Sequence, residues 1–128
     1  MAVLTEKISA AWADRKGPVI LSTVDKDGVP NAIYATCVSK FDEETLVVAD
    51  NFFDKTQKNI LSGSKGSILF ITNNDKAFQI KGTIEYLKAG DIFEDMKTWN
   101  GERPGHAAAA LKVEEVYTGA EKLVPCNT

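Results

Sequence analysis

"PVILSTVDKDGVPNAIYATCVSKF", residues 18–41, is the stretch on which the fold turns. "PVILSTV" is crowded with β-branched and apolar residues and reads as a strand. "DKDG", Asp25 to Gly28, supplies turn residues between two strand-like runs, which is a hairpin signal. "NAIYATCVSKF" follows as one further strand. In it Ile33, Ala35 and Cys37 point one way, and Ala32, Tyr34, Thr36 and Val38 the other. Neither set is strongly polar, so both faces of this strand are expected to be covered.

Upstream, Leu4 to Lys16 has Leu4, Ile8, Ala11 and Trp12 on one helical face, and Gly17-Pro18 stops the helix. Downstream, Asp42 to Glu44 makes a second turn into "TLVVAD", a buried-looking strand. "GSILFITN", Gly66 to Asn73, is another β-rich run, turned by Asn74-Asp75. "AFQIKGTIEYL", Ala77 to Leu87, alternates with period two. The period then changes: "AGDIFEDMKTWN" places Ile92, Phe93, Met96 and Trp99 at helical spacing. In "HAAAALKVEEVYTG" the alanines favour helix, while the rest favours a last strand from about Ala109 to Tyr117. The tail "AEKLVPCNT" is expected to be loosely held.

These elements give about six strands and two or three flanking helices, mostly antiparallel, in one domain spanning residues 1–128. An antiparallel sheet of that size that closes on itself is a small barrel filled by its own side chains. Any ligand then binds on its outside or between subunits.

Composition narrows the function. A hydrophobic fraction of 44% and a charged fraction of 26% are those of an ordinary globular domain. The formal net charge is -3, without a basic block, which argues against broad nucleic-acid binding. No apolar run approaches membrane-spanning length, and the N-terminus lacks the layout of a signal peptide. Cys37 and Cys126 have no Cys-x-x-Cys spacing and read as reduced thiols of a cytoplasmic protein. One histidine and no acidic metal motif leave no dedicated metal site.

"DNFFDKTQKNI", Asp50 to Ile60, carries the chemistry of interest. Asp54 has the character of a helix N-cap, with Gln57 at the capping-box spacing. First-turn N–H groups lack intrahelical partners and favour an anion. Lys55 adds a positive charge and Thr56 a hydroxyl, and Lys58 lies on the same side. Asp54 competes for those N–H groups and repels a phosphate. From these residues alone the segment is either a capped surface helix or an anion site.

The phrases "VILSTVDKDGVPNAIYATCV", "LVVADNFFDKTQKNI", "FQIKGTIEYL" and "ALKVEEVY", in this order, resemble the FMN-binding split-barrel proteins of the pyridoxamine 5'-phosphate oxidase-like family. The resemblance runs from about Val19 to Tyr117. It implies a six-stranded antiparallel split barrel that forms a homodimer, with FMN in grooves at the interface. It further implies flavin contacts from Ile33, Tyr34, Ala35 and Thr36, and from Ala49 and Asp50. Lys55 and Thr56 fall where the family grips the phosphate, and Gln79 falls where it touches the flavin ring. Trp99, at the end of its helix, is a candidate contact to the partner's flavin.

The sequence also departs from the oxidase proper. Ala32 or Ile33 stands near the position of its strand arginine, and no C-terminal Arg-x-His arrangement is present; Arg103 and His106 lie in the preceding loop. Oxidation of pyridoxamine 5'-phosphate itself is therefore not expected. Haem, bound by some small members, finds one histidine and no cysteine beside the groove motifs. The expected function is an FMN-dependent oxidoreductase or electron-transfer protein, serving a small-molecule or protein redox partner. The rival is a non-catalytic flavin or nucleotide carrier.

Overall fold

The computed structural model describes residues 3–125, so Cys126 and the last residues of the tail lie outside the described part. The chain runs through α1 (Glu6–Ala13), β1 (Val19–Val24), β2 (Pro30–Ala35), β3 (Val38–Asp42), β4 (Thr45–Asp50), α2 (Lys55–Leu61) and β5 (Lys65–Ile71). It continues through β6 (Ala77–Leu87), α3 (Asp91–Asn100), β7 (Ala107–Thr118) and β8 (Glu121–Val124). All pairings are antiparallel, in the order β2-β1-β5-β6-β7-β4-β3, with β8 added to β7.

The order explains the curl. β2 and β3 are neighbours in sequence but occupy opposite edges of the sheet. Only Thr36 and Cys37 separate them, so the two edges must lie side by side. The Ala49 N–H donates to the Cys37 carbonyl at 2.9 Å and holds the crossing. The sheet thus wraps into a barrel split along one seam, with three helices against it.

Among the described residues, eight strands replace the six expected from the sequence, for two physical reasons. "NAIYATCVSKF" is not one strand. It leaves one edge after Ala35 and joins the other at Val38, a change set by tertiary closure rather than by a turn residue. The described part of the tail is not loose either. Gly119, at φ +55°, turns the chain so that Glu121–Val124 pairs back on β7. The first hairpin forms as read: Asp25 Oδ1 accepts the N–H groups of Asp27 and Val29 at 2.8 and 2.9 Å, and Gly28 takes φ +83°.

The alanine run resolves as strand. Ala109 and Leu111 face the barrel interior with Leu46, Val48, Ile68, Phe78 and Ile80. Ala108 and Ala110 face outward and pack with Val47, Ala49 and Met96 beneath α3. β4 and the first half of β7, Ala107 to Leu111, are therefore buried on both faces, and small side chains let α3 lie close. This strand begins at Ala107, two residues before the expected start. α1, shorter than its sequence pattern, sends Ile8 and Trp12 into the interior beside Leu4, which precedes the helix, and Trp12 meets Phe70 edge-on at 5.3 Å.

Among the described residues, no helix lies over the outward face of β2, β1, β5 and β6. Tyr34, Ile20, Leu69 and Gln79 are register partners and form one row across it. Tyr34 is 76% exposed. The expectation that both faces of β2 are covered is thus not met within one chain. Among the described residues, no helix is long and apolar enough to cross a membrane.

Candidate functional site

The groove follows from the split. Where the chain crosses from β2 to β3, Ile33, Tyr34, Ala35, Thr36 and Cys37 line one wall. Ala49, Asn51, Phe52 and Phe53, from the end of β4 and its exit loop, line the other, and Arg103 closes it from the loop after α3. The groove holds about 280 Å³. Phe52 is 84% exposed at its rim, whereas Phe53 packs against the barrel core. The side-by-side aromatics therefore divide as an extended chain requires, one out and one in.

At the other end of β2 a second cavity of about 570 Å³ opens beneath the first hairpin. Asp25, Lys26, Val29, Pro30 and Asn31 meet Lys55, Lys58, Asn59 and Ser62 of α2 there. The β2 residues that line the two cavities, Asn31 and Pro30 for one and Ile33 to Ala35 for the other, lie about 7–16 Å apart at strand rise. Lys55 lines this cavity without an ion-pair partner among the described residues. Thr56 does not line it: it is 1% exposed, and its hydroxyl accepts a hydrogen bond from Asn31 Nδ2 at 3.0 Å. Asn59 Nδ2 likewise donates to Thr23 Oγ1 at 3.0 Å. These two bonds fasten α2 to the first hairpin and fix where Lys55 projects.

Asp54 does not cap α2. Its carboxylate pairs with Lys58 at 3.4 Å on the surface. Such an exposed pair contributes little to stability. The local order comes from Asp50 instead, whose Oδ1 accepts the Phe53 N–H at 3.0 Å and shapes the loop into α2.

Asp50 is 2% exposed, and its carboxylate turns away from the groove. Its Oδ2 accepts the Tyr86 hydroxyl, and that hydroxyl accepts Gln57 Nε2 at 3.0 Å. Burial, and then the bond to Asp50, push the Tyr86 phenol up to about 12 against an opposing pull from Gln57. The folded state thus holds this proton more tightly than the unfolded chain, whose tyrosines titrate near 10. The stabilisation is complete below pH 10 and is lost as pH rises to about 12. Denaturant unfolding from pH 9 to about 12 should show this loss, and Tyr86→Phe should flatten it. An unchanged pH slope in the phenylalanine variant would place the effect elsewhere.

Gln79 and Trp99 lie outside the groove. Gln79 is on the open face, three strands from Tyr34 in the same row and so about 14 Å away. Trp99, in the last turn of α3, packs against the cluster between that helix and the sheet, and its Nε1 donates to Asp95 Oδ2 at 3.3 Å. Sequence reasoning missed Cys37, Asn51, Phe52, Phe53 and Arg103 as wall residues. Cys37 corrects the reading that no cysteine stands beside the groove. Arg103 reaches it because Asn51 and Asn100 exchange two amide hydrogen bonds at 3.0 and 2.9 Å. Asn51 Oδ1 also accepts the Gly105 N–H at 2.9 Å, which draws in the loop carrying Arg103.

This set of residues fits a flavin nucleotide. An open, mostly apolar slot with an exposed aromatic rim and a guanidinium lies at one end of β2, and lysines lie at the other.

The family profile described as Pyridoxamine 5'-phosphate oxidase matches residues 4–120. The uncharacterized protein MJ0282 of Methanocaldococcus jannaschii is 35% identical over 105 residues, covering 77% of this chain and 70% of its own. HupZ of Group A Streptococcus superposes with a TM-score of 0.79 at 23% identity, covering 92% of this chain and 95% of that one. An FMN-binding protein of Syntrophomonas wolfei gives 0.71 at 21%, covering 93% and 84%. HutZ, the haem storage protein of Vibrio cholerae, gives 0.67 at 18%, covering 90% and 94%. At these identities the superpositions establish the fold alone, and with the profile spanning most of the sequence they place it: the chain belongs to the pyridoxamine 5'-phosphate oxidase family, with the family's split-barrel fold.

Proposed function

We propose that this protein is a homodimeric FMN-binding flavoprotein that passes hydride or electrons between the flavin and a small-molecule or protein partner. The observation that carries the reading is the pair of cavities strung along β2, a ring-sized slot at one end and lysines at the other. Ile33, Tyr34, Ala35, Thr36 and Ala49 would wall the ring, and Arg103 would face its polar edge. Lys55 would take the phosphate as a point charge. The bound flavin would supply the redox chemistry.

The open sheet face supports the dimer. An uncovered row containing Tyr34, Ile20 and Leu69 is the kind of surface a second subunit buries. Gln79 shares that row, so it would meet the partner rather than this chain's own groove. A cytoplasmic setting is proposed with it.

The visible spectrum of the purified protein, with and without added FMN, tests the assignment. Flavin bands, or quenching of FMN fluorescence on mixing, are the expected result. A colourless protein that leaves FMN fluorescence unchanged refutes it, and a Soret band abolished by His106→Ala replaces flavin with haem. Lys55→Ala should weaken FMN about tenfold while leaving riboflavin, which lacks the phosphate, nearly unchanged. Equal losses for both would remove Lys55 from the phosphate site. Turnover of NADH or NADPH with an electron acceptor separates the enzyme from a non-catalytic carrier.

A further inference from the structure

A third cavity opens at the barrel mouth, lined by Asp50, Phe53, Gln57, Tyr86, Lys88 and His106, and holds about 370 Å³. It shares only Phe53 with the groove. Its inner wall is already satisfied. Asp50 accepts from Tyr86 and from the Phe53 backbone, and Gln57 donates to Tyr86.

Its rim is not satisfied. Among the described residues, the Lys88 ammonium has no carboxylate within ion-pair reach and lies 5.9 Å from the Tyr86 ring centroid. His106 is held only through its backbone, whose N–H donates to the Asp50 carbonyl at 2.9 Å. Its imidazole makes no hydrogen bond among those residues. Two nitrogen-bearing groups thus face one cavity without partners, beside an aromatic wall.

We propose that this cavity is a binding site for a small organic monocarboxylate, held by Lys88 and His106 at the rim with its apolar body against Phe53. The ligand's charge class follows from Asp50. That carboxylate is buried, carries hydrogen bonds but, among the described residues, no ion pair, and sits on the same cavity. It repels a dianion such as a phosphate monoester about twice as strongly as a monoanion, and the cavity supplies one ammonium, that of Lys88, to offset it. A monoanion paired with Lys88 is the most negative ligand the site accommodates. A volume within the range of small-molecule pockets leaves room for more than a bare ion. The site does not rest on the flavin reading.

The chain has one histidine, so the His106 ring protons give a single reporter in a proton NMR spectrum of the intact protein. Benzoate should move these resonances saturably, and benzamide, its uncharged counterpart, should not. Lys88→Met should weaken benzoate roughly tenfold or more, whereas Lys7→Met, on α1, should not. Lys88 is exposed, so its replacement leaves the fold intact. The proposal fails if the benzoate shift does not saturate, if benzamide matches it, or if Lys88→Met leaves it unchanged. Tighter saturation by inorganic phosphate would overturn the monocarboxylate assignment.

Discussion

Replacing Gly82 by alanine costs the protein more than about 4 kcal/mol, or prevents folding outright. A Cβ built at Gly82 would stand 1.8 Å from the Lys112 carbonyl oxygen and 2.8 Å from its carbon. Neither atom can swing aside, because both are backbone of β7. The close approach sits at the register shift between Lys81 and Gly82, where β7 carries the extra residue, Glu114, of a bulge against β6. Relief would require opening the ladder at the middle of the sheet, between strands that carry Ile80, Leu111 and Val113 of the core. Gly66 provides the contrast. Its Cβ would meet Ile84 Cδ1 at 2.3 Å, the far end of a side chain that can change rotamer. Gly66→Ala should cost about 1–3 kcal/mol, and shortening the obstacle with Ile84→Val should restore part of it. Thermal melts decide the matter: the Gly82 variant should lose more than about 15 °C or be unfolded, and the Gly66 variant markedly less. Similar losses for the two would mean that β7 yields as readily as an isoleucine methyl.

The contrast also marks how far the sequence could be read. In "AFQIKGTIEYL" the alternation identified the strand, but nothing local showed that Gly82 faces a carbonyl across a bulge. Hairpins, α3 and the mostly antiparallel sheet were legible because period, turn residues and breakers are local signals. The crossing at Thr36-Cys37 was not, since no glycine or proline marks it and both faces of the segment are apolar. The alanine run was ambiguous for a related reason. Helix propensity favours alanine, but burial on both faces under α3 also selects it.

The candidate site divides along the same line. Ile33 to Thr36, Ala49 and Lys55 lie in segments whose order resembles the family, and the structure brings them onto β2's two cavities. Asp54 looked like a cap because its residue type and spacing suit one. The cap bond does not form, and Asp50, four residues earlier, shapes the loop instead. Arg103 was legible only as a loop residue. What carries it to the groove is an amide pair between residues 49 apart, which no local pattern encodes.

That amide pair is the second place where one substitution should be felt strongly. Asn51 and Asn100 are 7% and 1% exposed, so each amide depends on the other rather than on water. Asn100→Leu leaves Asn51 Nδ2 buried without its acceptor and forces a branched side chain against Gly105, where even an added Cβ would stand 2.9 Å from Asn100 Nδ2. The expected loss is about 2–4 kcal/mol, the sum of an unmade buried bond and local overpacking. Asn100→Ala removes the overpacking and should lose about 1–3 kcal/mol. Replacing both partners by alanine should not rescue the protein. Asn51 Oδ1 also satisfies the Gly105 N–H, and that donor would then be buried with nothing to bind. The local signature should exceed the global one: amide exchange at Gly105 should quicken more than in β6 or β7, because the clasp holds the loop and not the barrel. Since Arg103 rides on that loop, Asn100→Ala should also weaken any ligand of the groove in the folded protein. If exchange rises uniformly and groove binding is unaffected, the amide pair serves the core alone, and Arg103 holds its position by other contacts.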